Sequence, residues 1–445
     1  MYYINQDEEL NPLKIGQIIN AFKTRELPRL ERYRNYYLGN QDILRKTVND
    51  DTKPNEKVVS NYMYEIVNTY AGYLTGKDIT YTSDESIEEI QDILNYNDVS
   101  SEDALFLKNA LIYGLAYECM WIDKDGKQRF RVLDSRQCIP VYYNNLEENL
   151  AAVIRFYVVS NLDLIESQYY VEVYSERETI TYLSDNSFTS FQVLDYVPNF
   201  YSMVPITVFN LNDEKESIFD KVMTLQDAYN KLLSSEVDDF EAFVMAYLVL
   251  QGIDDVDPEQ LHLMRTNRVL QLPEGATANF LTKNIADTQI QNLLDNVRDT
   301  IREVAACPNF NDQNFGTSSG VAIRYKLINF ENRAGQIEKQ MTLALQRRIE
   351  LICGMATLSL GEDMWRDIQI IFTRNLPIDY QDLASMVNQL RGLVSQKTLV
   401  AQIPFVQDID AEMELVQEEQ EASAALYNFS SGNEEEEVDD ELLKR

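Results

Sequence analysis

The sequence predicts an α+β chain, mainly helical, with an antiparallel sheet set between helical parts. Three observations carry this. Apolar residues recur at three- and four-residue steps from about residue 12 to 112 and again beyond 216. Between about 116 and 182 the period switches to two, in segments rich in Val, Ile and Tyr. After Gly320 no proline occurs until Pro377, which leaves room for one unusually long helix. The 445 residues amount to about three domains' worth of chain, enough to bury a sizeable core.

The elements follow in order. Asn11-Pro12 opens a helix through Ile15, Ile18, Ile19 and Phe22; a second carries Leu27, Leu30, Tyr33, Tyr37 and Leu38 and stops at Gly39. A polar loop around 49–55 leads to a helix expected over 58–74, with Met63, Ile66, Val67, Tyr70 and Tyr73 inward. Another helix starts near Ser101-Glu102 and carries Leu105, Leu107, Leu111 and Ile112. Strands are expected at 116–123, 129–133, 139–143, 151–159, 169–174 and 178–182, parted by turn pairs such as Asp125-Gly126 and Asn144-Asn145, hence one antiparallel sheet.

Beyond Asn212-Asp213 the pattern is helical. Ile218, Phe219, Val222, Leu225, Tyr229, Leu232 and Leu233 form one apolar stripe, with Asp220, Lys221, Thr224, Asp227 and Lys231 facing away. A second helix begins at Asp287-Thr288, with Ile290, Leu293, Leu294, Val297, Ile301 and Val304 inward. Residues 244–286 between them mix short strands and turns, which suggests a hairpin arm with a small tip. A polar loop follows, too long for a simple helix connection. Val321, Tyr325, Ile328, Ile337, Met341, Leu345, Ile349 and Ile352 then fit one helix of ~35 residues, or ~50 Å. A strand at 368–372, three shorter helices and an acidic tail from Glu434 complete the chain.

Composition narrows the chemistry. The net charge of −34 argues against tight nucleic-acid or anionic-membrane binding, since both need clustered cations. His262 is the one histidine, so a Ser/His/Asp triad or a multi-histidine metal site has almost nothing to build on. Cys119, Cys138, Cys307 and Cys353 lack paired spacing and read as buried free thiols. No metal, cofactor or catalytic residue is nominated. The opening residues lack a basic stretch and an apolar run, so no export signal is expected, and no run approaches the ~18 residues of a membrane span. Gly72-Tyr73-Leu74-Thr75-Gly76-Lys77 is one residue short of a phosphate loop and has Asp78 in place of the magnesium-binding hydroxyl. A helix-ending glycine before a strand at 79–81 explains it better. Arg265 and Arg268, near His262, make a small basic patch suited to phosphate or to a partner's carboxylates, the latter at least as well given the acidic balance of the chain. Arg324, Lys326, Arg333, Lys339, Arg347 and Arg348 interleave with glutamates on the long helix, and pairing within the helix or between subunits is expected.

Five blocks carry a family resemblance. They are Tyr36-Tyr37-Leu38-Gly39; Asn55-Glu56-Lys57-Val58-Val59-Ser60-Asn61; Gly72 through Tyr81; Asn309-Phe310 with Gly316-Thr317-Ser318-Ser319-Gly320-Val321-Ala322; and Phe372-Thr373-Arg374-Asn375-Leu376-Pro377. In this order the sequence resembles portal proteins of siphophage-type tailed bacteriophages over about residues 10–420. The resemblance implies a ring, typically a dodecamer, at one capsid vertex of the virion, assembled in the host cytoplasm. Double-stranded DNA would pass through it without sequence-specific binding. It implies an N-terminal arm and wing over 1–215, stem helices at 216–243 and 287–307, and a small α/β clip at 244–286 that includes His262, Arg265 and Arg268. It further implies a tunnel loop at 308–319, a long helix and returning wing strand at 320–376, and a crown at 377–430. The acidic tail, 431–445, lies beyond what the resemblance covers. Partners implied are the terminase large subunit, the major capsid and scaffolding proteins, and head-completion or adaptor proteins. The tunnel loop would line the DNA channel with Asn309, Phe310, Asn311, Asp312, Gln313, Asn314 and Phe315. It contains no Lys or Arg, which suits a surface that must release DNA at every step. Another ring-forming head–tail connector or scaffold is the alternative, and a nucleotide-using enzyme resting on Gly76-Lys77 a more distant one.

Overall fold

The computed structural model describes residues 2–48, 53–160, 167–201, 203–244, 247–252, 275–281, 287–309, 320–355, 363–375, 380–400 and 412–419, with a few positions between 402 and 409. The chain divides into two compact units, Met1–Asn375 and Leu376–Arg445.

In the first unit, β1 (Tyr2–Ile4) precedes α1 (Pro12–Arg25) and α2 (Leu27–Leu38). The Asn11 side chain caps α1 by accepting the Lys14 N–H at 3.0 Å, and Gly39 ends α2 in the left-handed conformation at φ 86°. Next come α3 (Tyr62–Thr75), β2 (Thr80–Thr82), α4 (Glu88–Tyr96) and α5 (Val99–Tyr113). Helix α3 starts four residues later than the apolar pattern suggests. The Asn61 side chain caps it, and residues 56–60 stay extended because their amides are bonded elsewhere.

The expected single sheet is two. Strands β1, β5 (Cys138–Tyr143), β6 (Leu150–Val159), β7 (Gln168–Ser175), β8 (Glu178–Ser184) and β9 (Phe191–Pro198) form one, in that order. Strands β10 (Ile206–Asn210), β3 (Leu115–Ile122) and β4 (Gln128–Leu133) form the other. Pairing is antiparallel except at the edge, where β1 runs parallel to β5. Tyr117, Cys119, Cys138, Val153, Val204 and Ile206 pack together from the two sheets, since their inward positions alternate along each strand. All four cysteines are free and buried, and burial pushes the Cys119 thiol up to about 12.

At the junction of α5 and β3, Gly114 has φ 81°, and a Cβ there would lie 2.4 Å from the Lys215 carbonyl oxygen. Its own carbonyl accepts the Leu211 N–H at 3.0 Å. Gly114→Ala is expected to destabilise the fold by about 2–3 kcal/mol through the left-handed backbone and the clash. A urea midpoint within experimental error of the parent would refute this.

The rest of this unit is helical save for short strands. Helix α6 (Met223–Val244) follows a single 3₁₀ turn at Asp220–Val222, and α7 spans Asp287–Val304. The long helix, α8 (Gly320–Cys353), has 34 residues and is ~51 Å long. Its apolar row divides in two. Ile337, Met341, Leu345, Ile349 and Ile352 are buried, whereas Tyr325 and Ile328 are exposed, so the expected continuous inward stripe holds for the C-terminal part alone. Strand β13 (Gln369–Ile371) pairs antiparallel with β2.

In the second unit, α9 (Tyr380–Leu390) and α10 (Gln396–Val400) flank Gly392 at φ 86°, and residues 412–419 are helical. Leu399 and Val400 are buried there.

Candidate functional site

The arm begins from α6 and returns through α7. Between them β11 (Tyr247–Gln251) and β12 (Thr277–Leu281) pair antiparallel, closing the two ends of the insert on each other. Ile218, Phe219 and Val222 of the expected stripe are buried, but beyond them the inward face of α6 differs from expectation. Gln226, Asn230 and Ser234 are fully buried, whereas Leu225, Tyr229, Leu232 and Leu233 of the apolar stripe are half-buried. Val237 and Phe240 are exposed. The polar side is covered because the extended residues 56–60 and the start of α3 at Tyr62 lie along it and supply backbone partners. On α7 just Leu294 and Ile301 of the expected row are fully buried, and Leu293 and Val304 are exposed.

The end of α7 is clamped. Arg333 on α8 donates from Nη1 to the carbonyls of Val304 at 3.3 Å and Ala305 at 3.0 Å, and from Nη2 to that of Ile218 at 2.8 Å. The Tyr70 hydroxyl lies 3.1 Å from the Ala305 and Ala306 carbonyls. At Val304, Ala305 and Ala306 these donors satisfy carbonyls that a helix end leaves unpaired, and a cation suits the negative end of its dipole. Arg302 pairs with Glu65 at 3.0 Å, tying the same end to α3. The loop from 308 to 319 therefore departs from a fixed point.

Behind this junction, Arg348 is completely buried. Its guanidinium meets both Glu118 carboxylate oxygens at 2.7 Å, Asp103 at 2.6 Å and the Tyr81 hydroxyl at 3.2 Å. It also lies over the Phe130 ring at 4.6 Å. Burial raises the Asp103 and Glu118 carboxyls, and Arg348 opposes that rise. Pairing within the helix, as expected, holds for Arg347 with Glu350 at 2.8 Å. Arg333 and Arg348 depart from it and bind groups elsewhere in the same subunit.

Gly72 lies inside α3, and Gly76 ends that helix in a right-handed conformation. Glycine is required at 76 for room: a Cβ would lie 2.2 Å from the Gly72 carbonyl oxygen and 2.3 Å from the Asn375 amide nitrogen. Two of the blocks that carry the resemblance thus meet, and Asn375 N–H donates to the Tyr73 carbonyl at 3.2 Å. Lys77 follows a helix end, with no phosphate-sized turn.

Of the residues singled out from the sequence, Asn309 is half-buried. Phe310, Asn311, Asp312, Gln313, Asn314 and Phe315 lie outside the described residues, as do His262, Arg265 and Arg268. Sequence reasoning missed Gln226, Asn230 and Ser234. Their four-residue spacing was visible, but polar residues at that spacing ordinarily mark a solvated face.

Among the described residues, no group of three or more His, Cys, Asp or Glu side chains is placed to hold a metal ion, and no helix is long and apolar enough to cross a membrane. The described fold presents two helices, α6 and α7, anchored at the end of α7, a long helix that holds that end, and apolar side chains left exposed on both helices. The chain belongs to the family described as phage portal protein, SPP1 Gp6-like, whose profile matches residues 17–425. It is 24% identical over 452 residues to a portal protein of Clostridium phage phiCD119, covering 94% of this chain and 98% of the relative. It is 23% identical over 443 residues to a portal protein of Bacillus phage SPP1, covering 91% and 87%. A solved structure, the neck of an empty GTA particle computed with C6 symmetry, is similar with a TM-score of 0.44 and 11% identity, over 76% of this chain and 86% of that one. The portal family is a structural one rather than an enzyme family.

Proposed function

We propose that this chain is the subunit of a ring at one capsid vertex, surrounding the channel through which double-stranded DNA is packaged and ejected. The observation that carries this is the family match over residues 17–425, which spans the arm, the loop and the long helix together. The arm helices α6 and α7 would be the stem, 244–286 the clip and 308–319 the loop that meets DNA. The terminase large subunit and the head-completion proteins would dock on the clip, with His262, Arg265 and Arg268 as contacts. The capsid and scaffolding proteins would meet the outer parts of the ring. A charge of −34 per subunit, repeated around a ring, would repel phosphate and keep DNA near the axis, within the ~8–10 Å that salt permits.

Negative-stain images of the purified protein are expected to give end-on rings with a central hole; compact monomers would defeat the proposal. Phe310→Ala and Phe315→Ala are expected to form such rings yet package DNA at least ~10-fold less well, a loss of ~1.4 kcal/mol in the step they serve. Rings that package normally in both variants would remove the loop from the channel. Rings that join head to tail but never engage a packaging motor would favour a connector instead.

A further inference from the structure

The buried polar face of α6 is a ladder. The Glu56 N–H donates to Asp238 Oδ1 at 2.7 Å, Val58 to Ser234 Oγ at 3.0 Å, Ser60 to Asn230 Oδ1 at 3.0 Å and Tyr62 to Gln226 Oε1 at 3.2 Å. Alternate residues from Glu56 to Tyr62, the last of them the first residue of α3, thus meet every fourth residue of the helix, running in opposite directions. The spacings agree: four helical residues rise ~6.0 Å, and two extended residues ~6.6 Å. The ladder is braced at both ends. Lys46 pairs with Asp238 at 2.6 Å, and Gln226 Nε2 donates to Asn230 Oδ1 at 2.9 Å.

We infer that this ladder is a register lock, which holds the first arm helix against displacement along its own axis. Each rung crosses between helix and segment, so sliding α6 lengthwise strains all of them at once. Apolar packing resists such sliding weakly, because dispersion is non-directional and contacts re-form after small shifts. A hydrogen bond weakens steeply with distance and angle, and here the next matching position lies a whole helical turn away. The match also explains why a polar stripe occupies the inward face. It leaves the apolar flank of α6 half-exposed, available to a neighbouring subunit. That the load comes from moving DNA rests on the portal proposal; the lock itself is a property of the single chain.

Hydrogen exchange, read at residue level on the full-length protein without DNA, tests it. Ser234→Ala removes the side-chain acceptor of the Val58 N–H, and Asn230→Leu that of the Ser60 N–H. Each is expected to speed exchange of its own amide at least ~10-fold, and the double variant to speed exchange across 56–62. Ser234→Thr, which keeps the hydroxyl, and Thr224→Ala, on the exposed side of α6, are expected to leave these amides protected. Unchanged exchange at Val58 and Ser60 in a folded double variant would overturn the lock, whether or not rings form. Failure to form rings with normal protection at 56–62 would overturn the portal proposal and leave the lock standing.

Discussion

Arg348→Met is expected to cost about 3–5 kcal/mol, the largest loss from any single side chain that leaves the backbone unstrained. The arginine has no exposed surface, and it is held by Glu118, Asp103 and Tyr81 from three different elements. Removing it strands two carboxylates in the interior, where desolvation of the charged form is costly. Glu118→Gln is the informative control. It keeps a hydrogen-bond acceptor and leaves one carboxylate facing one guanidinium, so its cost should be nearer ~1–2 kcal/mol.

The pH dependence has a definite sign. Burial already raises both carboxyls above their ordinary values, with Arg348 opposing. Without Arg348 they rise further. The folded variant then holds protons that the unfolded chain has released, so its stability declines as pH rises from ~4 toward the raised folded values. Urea denaturation should therefore show a larger deficit against the parent protein at pH 8 than at pH 5. A loss under ~1 kcal/mol, or one equal at both pH values, would contradict this account of the triad.

Ring assembly should be the most sensitive property of the arm. Phe240 is 65% exposed and Leu293 47%, on helices that are otherwise anchored to the body of the subunit. In the ring proposed above, these exposed apolar side chains would face another copy of the same chain. The double variant Phe240→Asp, Leu293→Asp is expected to run as a monomer in size exclusion with light scattering. Two extra charges would have to be desolvated at every interface, and copies that each carry −34 already repel one another. Its own thermal stability should change little, within ~0.5 kcal/mol per site, because both side chains are exposed in the single subunit. Full-sized rings from this variant would show that the interface lies elsewhere.

Much of the fold was legible because its signals are local. The long helix was expected to begin near Val321 and begins at Gly320, since nothing in that stretch interrupts the helical period. The six expected strands exist at those places, for period two and turn pairs mark them without reference to the rest of the chain. Strands β9 and β10 were not anticipated, and neither was the division into two sheets. Alternation says which side chains share a face but not which strand lies beside which. Helix α4 was missed as well, its apolar content being limited to a few positions such as Ile90 and Leu94.

The candidate site was less legible, and α6 shows why. Apolar period pointed Ile218, Phe219 and Val222 inward, and they are buried, but it also pointed Leu225, Tyr229, Leu232 and Leu233 inward, and there the buried residues are Gln226, Asn230 and Ser234. A polar side chain is buried or solvated according to whether partners arrive to satisfy it, and here they come from Val58 and Ser60, 176 and 170 residues away. The same holds for Arg348, whose carboxylate partners lie 230 and 245 residues off in sequence.

The sequence by itself determined where most of the helices and strands form, the glycine stop after Leu38, and the family to which the chain belongs. These follow from torsional preference, apolar period and ordered motif blocks, all of them properties of neighbouring residues. The tertiary structure alone decided which polar groups are desolvated, which apolar flanks stay exposed, and which segment the first arm helix is bonded to. Those depend on which distant segments meet, because the cost of burying a polar group is cancelled only by a partner at hydrogen-bonding distance.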